Sequence, residues 1–152
     1  MPLEQVSSQL EISTKGQGFT DITRQLNDWI NKTSLTIGVL HLTALHTSCS
    51  LTINENADPR VLEDLSLYLK SLVPEEGYKS NNITGEYRTY KHADEGSDDM
   101  PAHIRTSLTT TSMSLSIDSG ALVLGTWQAV YLWEHRCQEH IRKINLHLIG
   151  EA

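Results

Sequence analysis

Residues 90–108 read Tyr-Lys-His-Ala-Asp-Glu-Gly-Ser-Asp-Asp-Met-Pro-Ala-His-Ile-Arg-Thr-Ser-Leu, which concentrates acids and histidines in one short segment. Carboxylates do not enter an apolar core unpaired, because burying an isolated charge is costly. They must be solvated, cap a helix or hold a cation. Pro101 suits the first turn of a helix, and Asp98 or Asp99 suits the N-cap before it. The stretch predicts an acidic loop leading into a short helix over 101–108, or, more simply, a solvated loop with one capping aspartate.

The length and composition of the chain predict one domain over residues 1–152, large enough to bury a core without staples. The net charge of −7 and the absence of a Lys/Arg-rich run argue against nucleic acid as a partner. No apolar run approaches the ~18 residues of a membrane span, and the first residues lack a secretory signal. Cys49 and Cys137 are too isolated to suggest a disulfide framework. We expect a cytoplasmic protein that binds neither nucleic acid nor membrane.

Hydrophobic periodicity predicts more strands than helices. Two main helices are expected, one starting near Asp21 and one starting at Pro59 after an Asp58 cap, with a leucine stripe along the second. Residues 75–99 resemble a long functional loop. Strands are predicted over residues 3–14, over two runs within 35–54 that meet near 46–48, and over 112–118, 121–131 and 140–149. The predicted class is α+β, a mostly antiparallel β-sandwich covered by two main helices and the short third helix.

The seven histidines form no local zinc motif. The two closest pairs are each five residues apart, a spacing that suits neither one helix face nor one strand face. A metal site would therefore be assembled from distant segments, for example His46, His92 and His103 together with an acid. We predict that these three imidazoles converge. His41, His140 and His147 are better explained as packed or surface residues, whereas His135, beside Arg136 at a strand end, could bind a phosphate.

Two further segments contain candidate binding residues, one before the second predicted helix and one near the C-terminal strands. Residues 46–50, His-Thr-Ser-Cys-Ser, form either a hydroxyl ladder on a sheet or a nest for an anion. A nucleophilic Ser48 or Cys49 is an alternative, although the nucleophile-elbow pattern is absent. Along residues 127–133 the aromatic residues alternate, which indicates core packing or a wall for a planar ligand. Arg136 suits a bidentate contact with phosphate.

Five segments in a fixed order carry a resemblance that covers nearly the whole chain. They are residues 46–48 His-Thr-Ser, 51–59 Leu-Thr-Ile-Asn-Glu-Asn-Ala-Asp-Pro, 96–104 Gly-Ser-Asp-Asp-Met-Pro-Ala-His-Ile, 124–128 Leu-Gly-Thr-Trp-Gln and 134–136 Glu-His-Arg. In these segments the chain closely resembles the YjbQ-type family, whose members are often labelled secondary thiamine phosphate synthases. The resemblance implies a YjbQ-like fold, a homotrimer and a polar site that accommodates a divalent metal, zinc or magnesium, and a small phosphorylated metabolite.

The resemblance and the residues together give three sets of site candidates. The catalytic candidates are His46, Glu55, Asp98 and His103; the metal candidates are His46, His92 and His103; the substrate-binding candidates are Ser48, Asn54, Asn56, Trp127, Gln128, Glu134 and Arg136. The implied reaction joins a hydroxymethylpyrimidine diphosphate to a thiazole phosphate with release of pyrophosphate, as a side activity in this family. The alternatives are a non-catalytic or damage-control module for a phosphorylated metabolite, and a His-based metal-dependent hydrolase.

Overall fold

The computed structural model describes residues 2–80 and 85–152. Within them the chain forms three helices, α1 (Thr23–Lys32), α2 (Pro59–Leu72) and α3 (Asp99–Leu108). The strands are β1 (Glu4–Lys15), β2 (Gly18–Asp21), β3 (Ile37–Ala44), β4 (Cys49–Glu55), β5 (Tyr78–Lys79), β6 (Tyr87–Arg88), β7 (Ser112–Asp118), β8 (Ala121–Leu122), β9 (Gln128–Glu134) and β10 (Glu139–Glu151). All strand pairs are antiparallel, so the predicted α+β class is confirmed.

The larger sheet has five strands in the order β1-β10-β3-β7-β8. Its strands alternate between buried and more exposed positions, which is the period-two pattern of a sheet with one face on the core. The inward side chains of the central strands are fully buried; they include Leu40, Leu42, Ile144, Leu146 and Leu148. This alternation is visible in the sequence, and the strands at both ends of the chain were predicted within two residues.

The smaller sheet has the order β2-β9-β4, and its central strand is buried on both faces. One face shares the core with the larger sheet, through Val130 and Leu132. On the other face Trp133 stacks on Phe19 with ring centroids 4.4 Å apart, and Tyr131 meets the same ring edge-on. The aromatic alternation therefore serves packing at these two positions. The two sheets form the predicted sandwich.

The predicted strand over 121–131 is wrong in its middle. The first part, β8, belongs to the larger sheet and ends at Leu122, whereas β9 begins at Gln128 in the smaller sheet. Between them Gln128 closes a turn: its N–H donates to the Gly125 carbonyl, and its side-chain oxygen accepts from the Gly125 N–H at 2.7 Å. The chain changes sheets here, so one apolar run supplies two strands.

The helices follow their predicted signals with two differences. Asp58 caps α2, because its carboxylate accepts from the Arg60 N–H at 3.0 Å. Of the predicted leucine stripe along α2, only Leu69 is buried. No helix within the described residues is long and apolar enough to cross a membrane. The third helix starts at Asp99, two residues earlier than predicted, and the carboxylate of Asp98 makes no capping hydrogen bond.

Candidate functional site

Three metal-ligating side chains meet where the acidic loop enters α3. His92 Nε2 lies 2.6 Å from Asp99 Oδ2, and His103 Nε2 lies 3.7 Å from Asp99 Oδ1. The two imidazole rings are 5.3 Å apart between centroids. Asp99 and His103 share one face because they are four residues apart on a helix. We call His92, Asp99 and His103 the triad; one ligand atom from each lies within 4.8 Å of the others.

Arg136 holds the acidic loop in place beneath the triad. Its guanidinium donates to Asp98 Oδ2 and to Asp99 Oδ1, both at 2.9 Å, and to the Glu95 carbonyl. The Cys137 N–H also donates to Asp98, at 2.8 Å. Burial opposes ionisation of Asp98, yet these donors prevail and lower the pKa of its carboxyl. Arg136, predicted as a phosphate ligand, thus directs its donors to the acidic loop of the same chain. Asp98 supports the triad indirectly, because it holds the arginine that contacts Asp99.

A buried ion pair joins Glu134, at the end of β9, to Arg142 of β10. Glu134 accepts from Arg142 at 2.6 and 2.7 Å and from Thr14 at 2.8 Å, and both charged side chains are almost fully buried. Burial disfavours the Glu134 carboxylate, but hydrogen bonds led by that from Arg142 outweigh it and lower the pKa. Arg142 also donates to Ser48 Oγ, which lies 2.9 Å from His46 Nδ1. Glu134 is therefore connected to His46 through Arg142 and Ser48, and both Glu134 and Ser48 are buried.

His46 borders the triad without belonging to it. Its side chain is exposed, its Nδ1 is engaged with Ser48, and it is absent from the group that could share a metal ion. Partial desolvation of the ring and the charge of Arg142 lower the pKa of His46, and His103 contributes in the same direction. A neutral imidazole near pH 7 can accept a proton. Two of the three predicted imidazoles converge, and Asp99 takes the place predicted for the third.

The other predicted site residues lie at the opposite ends of β4 and β9. Glu55 is paired with Gln128, whereas Cys49 is paired with Glu134 at the triad end. Six residues of strand separate the ends, which is roughly 20 Å. We call this set the distal group; its members are Asn54, Glu55, Asn56, Trp127 and Gln128. The Asn56 side chain donates to backbone carbonyls of Thr126 and Gln128, and Trp127 is 65% exposed. One chain does not bring the distal group to the triad.

The structure makes the nucleophile alternative at residues 48–50 unfavourable. Cys49 is fully buried, and burial raises the pKa of its thiol to about 11. A thiol with that pKa holds almost no thiolate near pH 7. Ser48 is also buried and already hydrogen-bonded to Arg142. Neither side chain is presented as a nucleophile.

Two important residues are not predicted from the sequence. The sequence indicates Asp99 only as a capping residue, although its spacing of four from His103 in a helix is a usable signal. Arg142 gives no signal, because an isolated basic residue in an alternating strand normally faces solvent. Only the fold reveals that it points inward to Glu134.

An antiparallel sandwich with a His-Asp-His group at the start of a short helix defines the class of this protein. The chain belongs to the YjbQ family, described as UPF0047 protein YjbQ-like, whose model matches residues 8–151. It is 43% identical over 143 residues to the UPF0047 protein sll1880 of Synechocystis, covering 94% of this chain and 90% of that protein. It is 40% identical to the UPF0047 protein YjbQ of Escherichia coli O157:H7, covering 93% and 96%.

Solved structures share the fold. A YbjQ-like protein of unknown function from Sulfolobus solfataricus superposes with a TM-score of 0.81 over 99% of this chain and all of that one, at 22% identity. The conserved hypothetical protein TT1486 from Thermus thermophilus superposes with a TM-score of 0.74 at 30% identity, covering 93% and 98%. The YjbQ-like fold predicted from the sequence is therefore confirmed.

Proposed function

We propose that this protein is a metal-dependent enzyme acting on a small phosphorylated metabolite, with the triad as its metal ligands. The observation that carries the proposal is the convergence of His92, Asp99 and His103 from a loop and a helix. In catalytic zinc sites three protein ligands leave one position for water or substrate. The side chain of His92 is half exposed, so a ligand could reach the group from solvent.

The donor set fits zinc better than magnesium. Two imidazole nitrogens and one carboxylate suit zinc, whereas magnesium prefers oxygen ligands and water. The contact from Arg136 to Asp99 would fix the orientation of that carboxylate, as an outer-shell partner does in known metal sites. Asp98 in turn fixes Arg136, at 2.9 Å. These residues therefore support a preformed site where the acidic loop meets α3.

The reaction we propose first is the one implied by the family resemblance, transfer of the pyrimidinylmethyl group of hydroxymethylpyrimidine diphosphate to the ring nitrogen of a thiazole phosphate. The bond from the methylene carbon to oxygen breaks, a carbon–nitrogen bond forms, and pyrophosphate leaves. A bound cation would neutralise charge on the departing diphosphate. In this chemistry the protein's residues bind and orient the two substrates. Exposed Trp127 offers an aromatic face for the pyrimidine. It belongs to the distal group, however, at the opposite end of β4 and β9 from the triad.

Hydrolysis of a phosphorylated metabolite is the second candidate, and the position of His46 favours it. Its lowered pKa keeps the imidazole neutral near pH 7, beside the triad. A neutral histidine can take a proton from an attacking water. The two candidates share the triad but differ in the group transferred and in its acceptor. The first transfers a pyrimidinylmethyl group to a thiazole nitrogen, and the second transfers a phosphoryl group to water.

We further propose that the chain assembles as a homotrimer in the cytoplasm. On the outer face of the larger sheet Val39 and Ile149 are cross-strand partners, 48% and 41% exposed, beside the more exposed Ile37. On α2, Leu67 and Tyr68 are also exposed. Apolar surface of this kind favours self-association. The two free cysteines suit a reducing compartment. Light scattering should give three times the chain mass of 17.0 kDa, and the monomer mass would contradict the trimer.

Metal analysis of protein purified without added ions tests the ligand assignment. We expect about one zinc per chain in the wild type and a large loss in Asp99→Asn, since removing a ligand charge weakens the site. Asp94→Asn is the matched control, because Asp94 is an exposed acid of the same loop. Equal metal content in Asp99→Asn and Asp94→Asn would remove the metal proposal.

The reaction is tested by supplying the pyrimidine diphosphate with and without the thiazole phosphate. Thiamine phosphate together with pyrophosphate supports transfer, whereas phosphate release that does not need the thiazole supports hydrolysis. Binding without either product would leave a non-catalytic module and contradict both reactions. Complementation of a thiamine auxotroph, compared between wild type and His103→Ala, shows whether the triad is required in a cell.

A further inference from the structure

Arg105 is a buried cation that makes no ion pair with a described residue, although the charges of Glu75 and Asp98 act on it from a greater distance. Only 3% of the residue is exposed, and its Nη2 donates a hydrogen bond to the Val73 carbonyl at 2.7 Å. Its Nε is buried without a partner in the described part of the chain, and no carboxylate there lies within 4.0 Å of its guanidinium. The other buried arginines, Arg136 and Arg142, are both paired with carboxylates.

Such an arrangement is unfavourable in the absence of a ligand. A guanidinium does not lose its proton at physiological pH, so it remains charged where it is buried. An unpaired buried charge is strongly destabilising. An anion bound against Arg105 would offset part of this destabilisation, because it would balance the charge and accept hydrogen bonds from the guanidinium.

Arg105 lines a cavity of about 30 Å³ on the far side of α3 from the triad. Since Arg105 follows His103 by two positions, the two side chains leave the helix in nearly opposite directions. Gln17, Lys70 and His135 also line the cavity. Glu134 contributes to the wall, but both of its carboxylate oxygens accept hydrogen bonds from Arg142. The two cations of the lining, Arg105 and Lys70, therefore face one acid whose oxygens are already engaged.

The size and surroundings of the cavity define the ligand. Its volume holds about two waters, which is room for the head group of a molecule and not for its body. A neighbouring open depression shares Gln17, Lys70 and Arg105 and adds Glu75 and Glu76. A ligand body would extend into this depression, where two acids would discourage a second anionic group. Burial and Arg105 lower the pKa of His135 to about 4, so His135 brings no charge near pH 7.

We propose that this cavity binds the oxyanion head group of a small molecule, a phosphate or a carboxylate, with Arg105 as the principal donor and Lys70 at the entrance. The site is separate from the triad and goes beyond the proposed function. It is formed by α2, α3, the turn after β1 and the end of β9, all of which are parts of one chain.

Titration calorimetry with inorganic phosphate and, separately, with acetate tests the proposal on the full chain. We expect saturable binding of at least one anion. Arg105→Met should weaken it about tenfold or more, as loss of charge-assisted hydrogen bonds predicts. Binding of phosphate alone identifies a phosphate head group, and binding of acetate alone identifies a carboxylate.

Matched variants separate this site from a general charge effect. Lys70→Met should weaken binding several-fold, whereas Lys32→Met should not, although both are exposed lysines in the last turn of a helix. Asp99→Asn should bind the anion normally, so failure of the triad proposal would not affect this one. If Arg105→Met does not fold, Arg105→Lys and Lys70→Met carry the test. No saturable binding to the wild type, or equal binding in Lys70→Met and Lys32→Met, would overturn the proposal.

Discussion

Lowering the pH should destabilise this protein through one buried histidine. His135 is 2% exposed, its Nε2 lies 2.8 Å from Ser50 Oγ, and its ring packs on Trp133 with centroids 5.1 Å apart. Burial and the charge of Arg105 lower its pKa from 6.5 to about 4. The folded chain therefore holds His135 neutral, while the unfolded chain protonates it below pH 6.5. This contribution to stability is complete above that pH and is lost as the pH falls toward 4.

The size of the effect follows from the two pKa values. With about 4 in the folded chain and 6.5 in the unfolded chain, proton linkage removes about 2 kcal/mol of unfolding free energy between pH 7 and pH 5, and roughly 3 kcal/mol by pH 4. This is a large part of the roughly 5–15 kcal/mol by which folded proteins are typically stable, so it is measurable before acid unfolding intervenes.

Urea denaturation at pH 7 and pH 5, at one protein concentration, measures the loss. His135→Gln should be less stable than the wild type at pH 7, because it loses the contact with Trp133, but its stability should fall by about 2 kcal/mol less on acidification. His41→Gln is the control, since His41 is exposed, and its profile should parallel the wild type. If all three proteins lose the same free energy between the two pH values, His135 is not the linked group.

Two further substitutions test the packing of the larger sheet, to which Arg142 and Gly38 both belong. Arg142→Met should cost roughly 3–5 kcal/mol in urea denaturation, because it leaves the Glu134 carboxylate buried without its counter-ion. A double variant that also carries Glu134→Gln should be no less stable than Arg142→Met. If Arg142→Met alone costs less than ~1 kcal/mol, the Glu134–Arg142 pair behaves like an exposed ion pair. Gly38→Ala should cost about 1–3 kcal/mol or more in the same assay, because its Cβ would overlap the backbone of the facing β10 strand at Ile149 and Gly150. An unchanged denaturation midpoint would show that the two strands separate easily.

Local signals were sufficient for most of the fold. Alternating apolar residues at both ends of the chain predicted β1 and β10, and the Asp58-Pro59 pair predicted the start of α2. These signals act within a few residues, where backbone sterics and side-chain caps decide the structure. The exception was the run after residue 120, because alternation continues through the turn at Gly125, where the chain changes sheets.

The candidate site was less accessible because it depends on contacts between distant segments. The sequence identified His92 and His103 as a pair of interest, but it could not show that Asp99 joins them or that Arg136 is 37 residues away and yet bound to Asp99. Nor could it reveal the unpaired charge of Arg105, since burial is a property of the packed α3. Polar residues in a sequence indicate chemistry, whereas their partners are set by tertiary packing.

The separation of the triad from the distal group sets a condition on any reaction that needs both. A small substrate bound at His103 cannot reach Trp127 of the same chain, because the two groups lie at opposite ends of β4 and β9, roughly 20 Å apart. In the homotrimer that we propose, neighbours would meet through two different patches of their surface, and these patches could be the two ends of β4 and β9. Each site would then combine the triad of one chain with the distal group of the next.

Subunit mixing tests this shared site directly. His103→Ala and Trp127→Ala trimers should each be inactive, since every site lacks one half. Unfolding and refolding the two together at equal amounts should restore about one quarter of the wild-type activity, because each site draws its two halves independently from adjacent subunits. Mixing intact trimers without unfolding is the control and should restore none. If the refolded mixture stays inactive while light scattering shows mixed trimers, the site lies within one chain and the distal group serves packing alone.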